Sequence, residues 1–179
     1  MSESYHVVLL VEQALSRADA RQVTSLHEGL DGPVLYHVLL PVENAAGRIE
    51  SSMGTLAAGE IMAPPNLSLA EVDLAAVHRE CVESAEHQLT ATLAALTGAG
   101  ATASGRLVDQ DPIEALAAVV SDVDGREAII LTRPHVVSEF FHLDWTSRAR
   151  RHVGVPVLHL LEHENFDEQS GGGEGVTGV

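Results

Sequence analysis

The residues that could do chemistry concentrate after the fourth apolar run of the chain, at 128–132. Arg133 and His135 follow this run directly. Four of the ten basic residues of the chain fall within 133–151, and such a concentration could bind an anion such as a phosphate. Alternatively, these arginines offset nearby acidic groups and complement the carboxyl end of a helix. The four are Arg133, Arg148, Arg150 and Arg151.

Other patterns of catalytic or metal-binding residues are weaker. The chain has no Gly-x-Ser-x-Gly elbow, no Gly-x-x-x-x-Gly-Lys phosphate loop and no Gly-x-Gly-x-x-Gly turn. Its ten histidines show no spacing typical of a tight metal site, so we expect no metal. Asp109 and Asp111 could form a carboxylate pair, but Asp111 before Pro112 is also the pattern of a helix N-cap. Cys81 lies on an apolar helical stripe and should be buried and unreactive.

Apolar runs alternate with helical periodicity along the chain, which predicts an α/β domain. Strands are expected at 6–11, 34–40, 101–108, 128–132 and 155–161, and helices at 14–29, 68–97, from 112 onward and at 138–152. The long helix should begin on the capping pattern of Ser68 and Glu71. This order predicts one domain over 1–163, a doubly wound five-stranded parallel sheet with helices on both faces. It also predicts a long loop at 43–66 and a disordered tail at 164–179.

In such a sheet, ligands bind beyond the carboxyl ends of the strands, where the strand order reverses. Each strand is followed there by polar residues or by proline. Those singled out are Glu12, Gln13, Pro41, Val42, Asp109, Asp111, Arg133, Pro134 and His135.

The order of these elements resembles the universal stress protein family over roughly residues 5–162, except for the 43–66 loop. Three segments carry the resemblance: Val-Leu-Tyr-His-Val in the second strand, Asp111-Pro112 opening a helix, and Val-Pro-Val-Leu at 155–158. The resemblance implies the strand order 3-2-1-4-5. It also implies a homodimer formed through the last strand, Val155 to Leu161.

The resemblance also implies where an adenine nucleotide would bind. Glu12 takes the place of the family's Asp, which contacts ribose, and Val38 takes the place of an adenine contact. The family's glycine motif falls on Thr132, His135 and Trp145, with Thr146 at the hydroxyl position. All three glycines are therefore replaced, and side chains there would block the approach of phosphate to backbone N–H groups. We therefore expect no ATP site of the usual kind and name no cofactor, although an adenine nucleotide could still contact Glu12 and Val38.

Charge and composition restrict the partners. A net charge of −16 repels nucleic-acid backbones and anionic membrane surfaces. No apolar run approaches the roughly 18 residues of a membrane span. The start of the chain lacks the basic leader of a secreted protein, and its single cysteine allows no internal disulfide. We expect a cytoplasmic protein that binds neither nucleic acid nor membrane.

Three functions remain open at this stage. The first is a universal-stress-type regulatory domain that has an altered or lost ATP site and binds another small ligand near Glu12, Val38, Arg133, His135 and Thr146. The second is a small enzyme in which His135 acts as acid or base, Arg133 binds an anion and the 43–66 loop closes over the site. The third is an interaction scaffold that presents an aromatic segment, although that segment could equally fill the pocket or pack in the core. The aromatic residues are Phe140, Phe141 and Trp145.

Overall fold

The computed structural model describes residues 4–43, 73–132 and 139–161, without the side chains of 139–145. These ranges contain five strands and four helices in strict alternation. In chain order they are β1 (Tyr5–Val11), α1 (Arg17–Ser25), β2 (Val34–Pro41), α2 (Leu74–Gly98), β3 (Thr102–Val108), α3 (Pro112–Asp122), β4 (Glu127–Thr132), α4 (Glu139–His152) and β5 (Val157–Leu161). No helix within these ranges is long and apolar enough to cross a bilayer.

The strands form one parallel sheet in the order β3-β2-β1-β4-β5. The central strand β1 pairs with β2 on one side and with β4 on the other, so that Leu9 lies opposite both Val38 and Ile129. The strand order reverses at β1, because the chain adds β2 and β3 on one side of it and β4 and β5 on the other. The predicted fold class and strand order are confirmed.

Side-chain alternation along β1 divides the core into two layers. Val7, Leu9 and Val11 point to the face covered by α1 and α2, whereas Val8 and Leu10 point to the face covered by α3 and α4. All five side chains are fully buried. Burial of each one stabilises the fold by about 1.5–3 kcal/mol, so the apolar sequence of β1 fixes it as the centre of the sheet.

Local capping residues set where the helices begin. Asp111 caps α3 as predicted, with Pro112 at the first helical position. Helix α1 begins after Ser16, whose hydroxyl accepts from Ala18 and Asp19 N–H, a capping box that the sequence prediction missed. Helix α2 begins six residues later than predicted, because Asp73 accepts the N–H groups of its first turn. Ser68, Glu71, the loop beyond Glu43 and the tail lie outside the described residues.

Two histidine networks link side chains near the amino ends of the strands. His27, buried after α1, contacts the carboxylate of Glu127 and lies 2.9 Å from the Tyr36 hydroxyl. His37 is only half-buried, and its Nε2 lies 2.9 Å from Nδ1 of His6, so the two rings share one hydrogen. Both networks lie away from the carboxyl ends of the strands, where ligands bind in this class of sheet.

Candidate functional site

A cleft of about 860 Å³ opens at the carboxyl ends of β1, β2 and β3, beside the first half of α2. Its volume is within the range of about 300–1,000 Å³ that is usual for small-molecule sites. The lining residues come from the segments that follow three strands and from one face of α2. They are Glu12, Leu40, Pro41, Val42, Glu43, His78, Cys81, Ser84, Ala85, Gln88, Asp109, Gln110, Asp111 and Pro112.

The cleft exists because α2 carries small side chains on this part of its inner face. Cys81, Ser84 and Ala85 line the cleft where the helix passes the strand ends. One turn further along, Leu89 packs on the core and approaches the backbone at Gly105, where an added Cβ would lie 2.7 Å from the Leu89 Cδ1 atom. Leu89 therefore covers the sheet, whereas the smaller side chains of the preceding turns leave the space of the cleft. Cys81 is buried, as predicted.

Buried hydrogen bonds hold the segment after β1 against α2. The N–H of Leu15 donates to Oγ1 of Thr92 over 3.1 Å, and this hydroxyl in turn donates to the carbonyl of Gln88 over 2.9 Å. Thr92 is fully buried. The N–H of Glu12 extends the β1–β4 pairing by donating to the Leu131 carbonyl. Glu12 is thus fixed from both sides at the edge of the cleft.

Asp111 is the N-cap of α3 and lines a second wall of the cleft. One of its oxygens accepts the N–H groups of Ile113 and Glu114, at 2.9 and 3.1 Å. The other oxygen accepts from the Arg148 guanidinium at 2.8 Å. Partial burial acts to raise the pKa of Asp111, but the bonds from Arg148 and from the two N–H groups outweigh it and hold the pKa below its ordinary value.

The described lining of the cleft is rich in acidic side chains. Four carboxylates line it, and among the described lining residues His78 is the only side chain that can carry a positive charge. One of the four, Asp111, pairs with Arg148, and the other three come from the segments that follow β1, β2 and β3. They are Glu12, Glu43 and Asp109.

The predicted site residues fall into three groups. Glu12 lies in the cleft together with Asp109 and Asp111, as the strand-end rule implies. Val38 does not line the cleft: its side chain is 1% exposed and belongs to the core beneath α2. Thr146 is also buried, at 7% exposure. Arg133 and His135, the two residues on which the enzyme hypothesis rested, lie outside the described residues.

The described basic residues of α4 do not form a single anion-binding cluster. Arg148 pairs with Asp111, while Arg150 and Arg151 are exposed in the last helical turn. Their position favours the alternative in which they complement the helix dipole. Within the described ranges, no three His, Cys, Asp or Glu side chains are placed to hold a metal ion together.

The α2 wall of the cleft was missed by sequence analysis. The apolar stripe of this helix was recognised, but the polar residues on its border were not considered. His78, Cys81, Ala85 and Gln88 recur at steps of three and four, which places them on one face of the helix. A stripe that changes from leucine to small and polar residues could have indicated an open pocket.

Comparison with known proteins supports the fold but gives no close relative. No protein-family model matches the chain, and neither does any curated protein sequence. A universal stress protein structure from Burkholderia pseudomallei aligns with a TM-score of 0.50 and 15% identity, over 87% of this chain and 96% of that chain.

Two further structures of this fold contain a nucleotide. The universal stress protein of Archaeoglobus fulgidus in complex with dAMP aligns with a TM-score of 0.51 and 15% identity, over 87% of this chain and 96% of that chain. An Arabidopsis thaliana universal stress protein family member with AMP bound aligns with a TM-score of 0.51 and 12% identity, over 91% and 94% of the two chains. The chain therefore has the universal stress protein fold.

Proposed function

We propose that the chain is a regulatory small-molecule-binding domain of the universal stress type, which holds its ligand in the cleft between α2 and the ends of β1, β2 and β3. The observation that carries this proposal is the position of the cleft, an opening of about 860 Å³ at the edge of the sheet where ligands bind in this architecture. Two structures with the same fold were determined with dAMP and AMP, which supports a ligand-binding role.

The proposal includes an altered nucleotide site. The first glycine position of the family motif is occupied by Thr132, whose hydroxyl lies 2.8 Å from Nε2 of His159. Its side chain is buried, so a β-branched residue fills space that a glycine would leave open. At the hydroxyl position of the motif, Thr146 is buried as well. These two positions support the loss of the usual phosphate contacts.

The proposal also includes a homodimer formed through the last strand. Among the described residues, β5 is the edge strand of the sheet and pairs on one side with β4. An open edge of apolar sequence favours pairing with a second copy. Sedimentation should give twice the chain mass of 19.0 kDa. Leu161→Asp in β5 should dissociate the dimer, whereas Thr102→Asp at the opposite edge should not, and a monomeric wild type would rule the dimer out.

A thermal-shift screen tests the ligand-binding function. Adenine nucleotides from ATP to AMP and cAMP, each with and without magnesium, and other metabolites are added to the full chain. A ligand at a hundred times its Kd stabilises the folded state by about 2.7 kcal/mol, or a melting-temperature rise of roughly 5–11 °C for a chain of this size.

Matched variants on α2 localise the binding. Ser84 is exposed and lines the cleft, so Ser84→Phe should fill the cleft and abolish the shift. Thr90→Phe places the same ring on an exposed position of the same helix outside the cleft and should leave the shift unchanged. A shift that survives Ser84→Phe, or a screen in which no compound stabilises the wild type, would overturn the proposed site.

A further inference from the structure

We infer that β1, β2 and β3 carry a second site beside the last turn of α3, a serine–histidine–histidine triad that hydrolyses small neutral esters. Its three residues are Ser104, His37 and His6, one from each of these neighbouring strands. None of the three lines the cleft at the carboxyl ends of the strands. The triad therefore functions independently of the ligand that the cleft holds.

Parallel pairing places the three side chains on one face of the sheet. His37 lies opposite Val8 of β1 and opposite Ser104 of β3. His6 is two residues before Val8, so its side chain is directed to the same face. Val8 belongs to the core layer that α3 covers. Strand alternation thus brings three polar side chains together at the border of an apolar layer.

Polar contacts join the three side chains in a continuous chain. Nδ1 of His6 lies 2.9 Å from Nε2 of His37, and Nδ1 of His37 lies 3.4 Å from Oγ of Ser104. The two ring planes are within 8° of parallel and the ring centroids are 5.2 Å apart, so the rings meet end to end through these nitrogens. The contact to Ser104 is longer than an ordinary hydrogen bond, as is common in catalytic pairs before substrate binds.

The arrangement allows His37 to act as a general base. When its Nε2–H donates to Nδ1 of His6, its own Nδ1 can take the proton of the Ser104 hydroxyl. His6 then holds the ring of His37 in this tautomer, the role that a carboxylate has in other serine triads. Partial burial, His6 and Arg106 all lower the pKa of His37, so its ring is neutral at pH 7 and can accept a proton.

A pocket of about 240 Å³ lies beside the triad and is lined by both His37 and Ser104. Ser104 is exposed and therefore accessible to a substrate. The volume is that of about eight water molecules, which suits a short acyl group. Among the described lining residues, Arg106 and Asp122 carry opposite charges, which favours a neutral ester over an anion. The guanidinium of Arg106 supplies donors for the oxyanion that forms during the reaction.

The reaction has two steps, acylation and hydrolysis. Oγ of Ser104 bonds to the carbonyl carbon of the ester while its proton passes to Nδ1 of His37. The bond from this carbon to the alcohol oxygen then breaks, and the alcohol leaves with that proton. In the second step, water gives a proton to His37 and attacks the acyl-serine, which releases the acid and returns the proton to Ser104.

Labelling of the full chain with a fluorophosphonate tests the nucleophile, because this probe bonds to an activated serine as fluoride leaves. Peptide mass spectrometry should find the phosphonyl group on Ser104. General base catalysis contributes about 10²–10⁴-fold, so His37→Gln should slow this labelling by at least about 100-fold. Equal labelling of Ser104 and of Ser121, an exposed serine of α3 outside the pocket, would overturn the inference. So would an unchanged labelling rate in His37→Gln.

His6 is a positioning residue, and the pH dependence of labelling tests its role. Labelling should increase with pH as His37 loses its proton and reach its maximum by about pH 7. Because His6 helps to lower the pKa of His37, His6→Gln should move the midpoint of this curve to higher pH. Arg106 of β3 and Asp122 of α3, the other charged groups around this pocket, are unchanged in the variant. An unchanged midpoint would overturn the role of His6.

Hydrolysis of 4-nitrophenyl acetate measures turnover. Histidines alone cleave this ester slowly, so the decisive comparison is with Ser104→Ala, which keeps all ten histidines. The rate should fall in Ser104→Ala to the level that the histidines give alone, and should stay at the wild-type level in Ser121→Ala. Both substitutions remove an exposed serine, and melting temperatures verify that both variants are folded. Equal rates in the wild type and in Ser104→Ala would overturn the triad and leave the proposed function of the cleft untouched.

Discussion

Replacing Thr92 with Val should loosen the segment that carries Glu12, because the buried N–H of Leu15 loses its acceptor. Thr90→Val is a closely matched control on the same helix. Each hydroxyl donates over 2.9 Å to the carbonyl four residues earlier, but Thr92 is buried and accepts from Leu15, whereas Thr90 is exposed. The two substitutions have the same intrinsic effect on the helix, so their difference isolates the tertiary hydrogen bond.

The size of the effect follows from that lost acceptor. A buried donor without a partner costs about 1–3 kcal/mol, and at roughly 2–4 °C per kcal/mol for a chain of this size the melting temperature should fall by about 2–12 °C. The Thr90 variant should change stability by no more than about 0.5 kcal/mol, because its position is exposed. Val resembles Thr in shape but lacks the hydroxyl, so the effect comes from the lost hydrogen bonds and not from a cavity.

Thermal unfolding followed by circular dichroism measures both variants. Native-state hydrogen exchange adds a local readout, since the Leu15 amide should exchange faster in Thr92→Val and at an unchanged rate in Thr90→Val. Equal melting temperatures for the two variants, or an unchanged exchange rate at Leu15, would show that this bond does not fix the β1–α1 segment.

Three further predictions concern other parts of the molecule. The pKa of His37 is lowered by partial burial and by the charges of His6 and Arg106. The stability that this shift provides is complete above the ordinary pKa of about 6.5 and is lost as the pH falls from there through the lowered folded pKa. The free energy of unfolding, measured at several pH values, should fall less with decreasing pH in His37→Gln than in the wild type. An equal fall in both proteins would contradict this explanation. Gly154 has a φ of +74°, so Gly154→Ala should cost about 1 kcal/mol. Gly98→Ala, at the end of α2 with open space around it, should cost nothing, and equal unfolding midpoints would refute the argument. Finally, raising potassium chloride from about 0.1 M to about 1 M shortens the Debye length from about 10 Å to about 3 Å, which should raise the melting temperature by screening the charge of −16; a fall would contradict it.

The strands were predictable because parallel strands are buried on both faces and so become continuous apolar runs. The end of β1 at Val11 was predicted to the residue, and the start of β5 within two residues. Helix starts were less predictable, because several residues near each start can serve as the cap. At α2, Asp73 is used although Ser68 with Glu71 has the more complete capping pattern.

The candidate site was predictable only in part. Glu12 and Asp109 were found because topology alone places them at strand ends. Val38 could not be placed, since which face of a sheet a strand residue occupies depends on the register, and here its side chain is directed into the core. The α2 wall requires knowing which part of a long helix extends past the sheet, and local sequence does not contain that information.

The central position of β1 has a consequence for how the chain reaches its native state. One edge of β1 pairs with β2. The other edge can pair only after β4 has been synthesised, since Val7 lies opposite Glu127, 120 positions later. During synthesis, the central strand would thus keep an open edge until most of the chain has emerged. Contacts of such long sequence separation slow folding. Fragments that end before β4 should therefore aggregate more readily than the full chain.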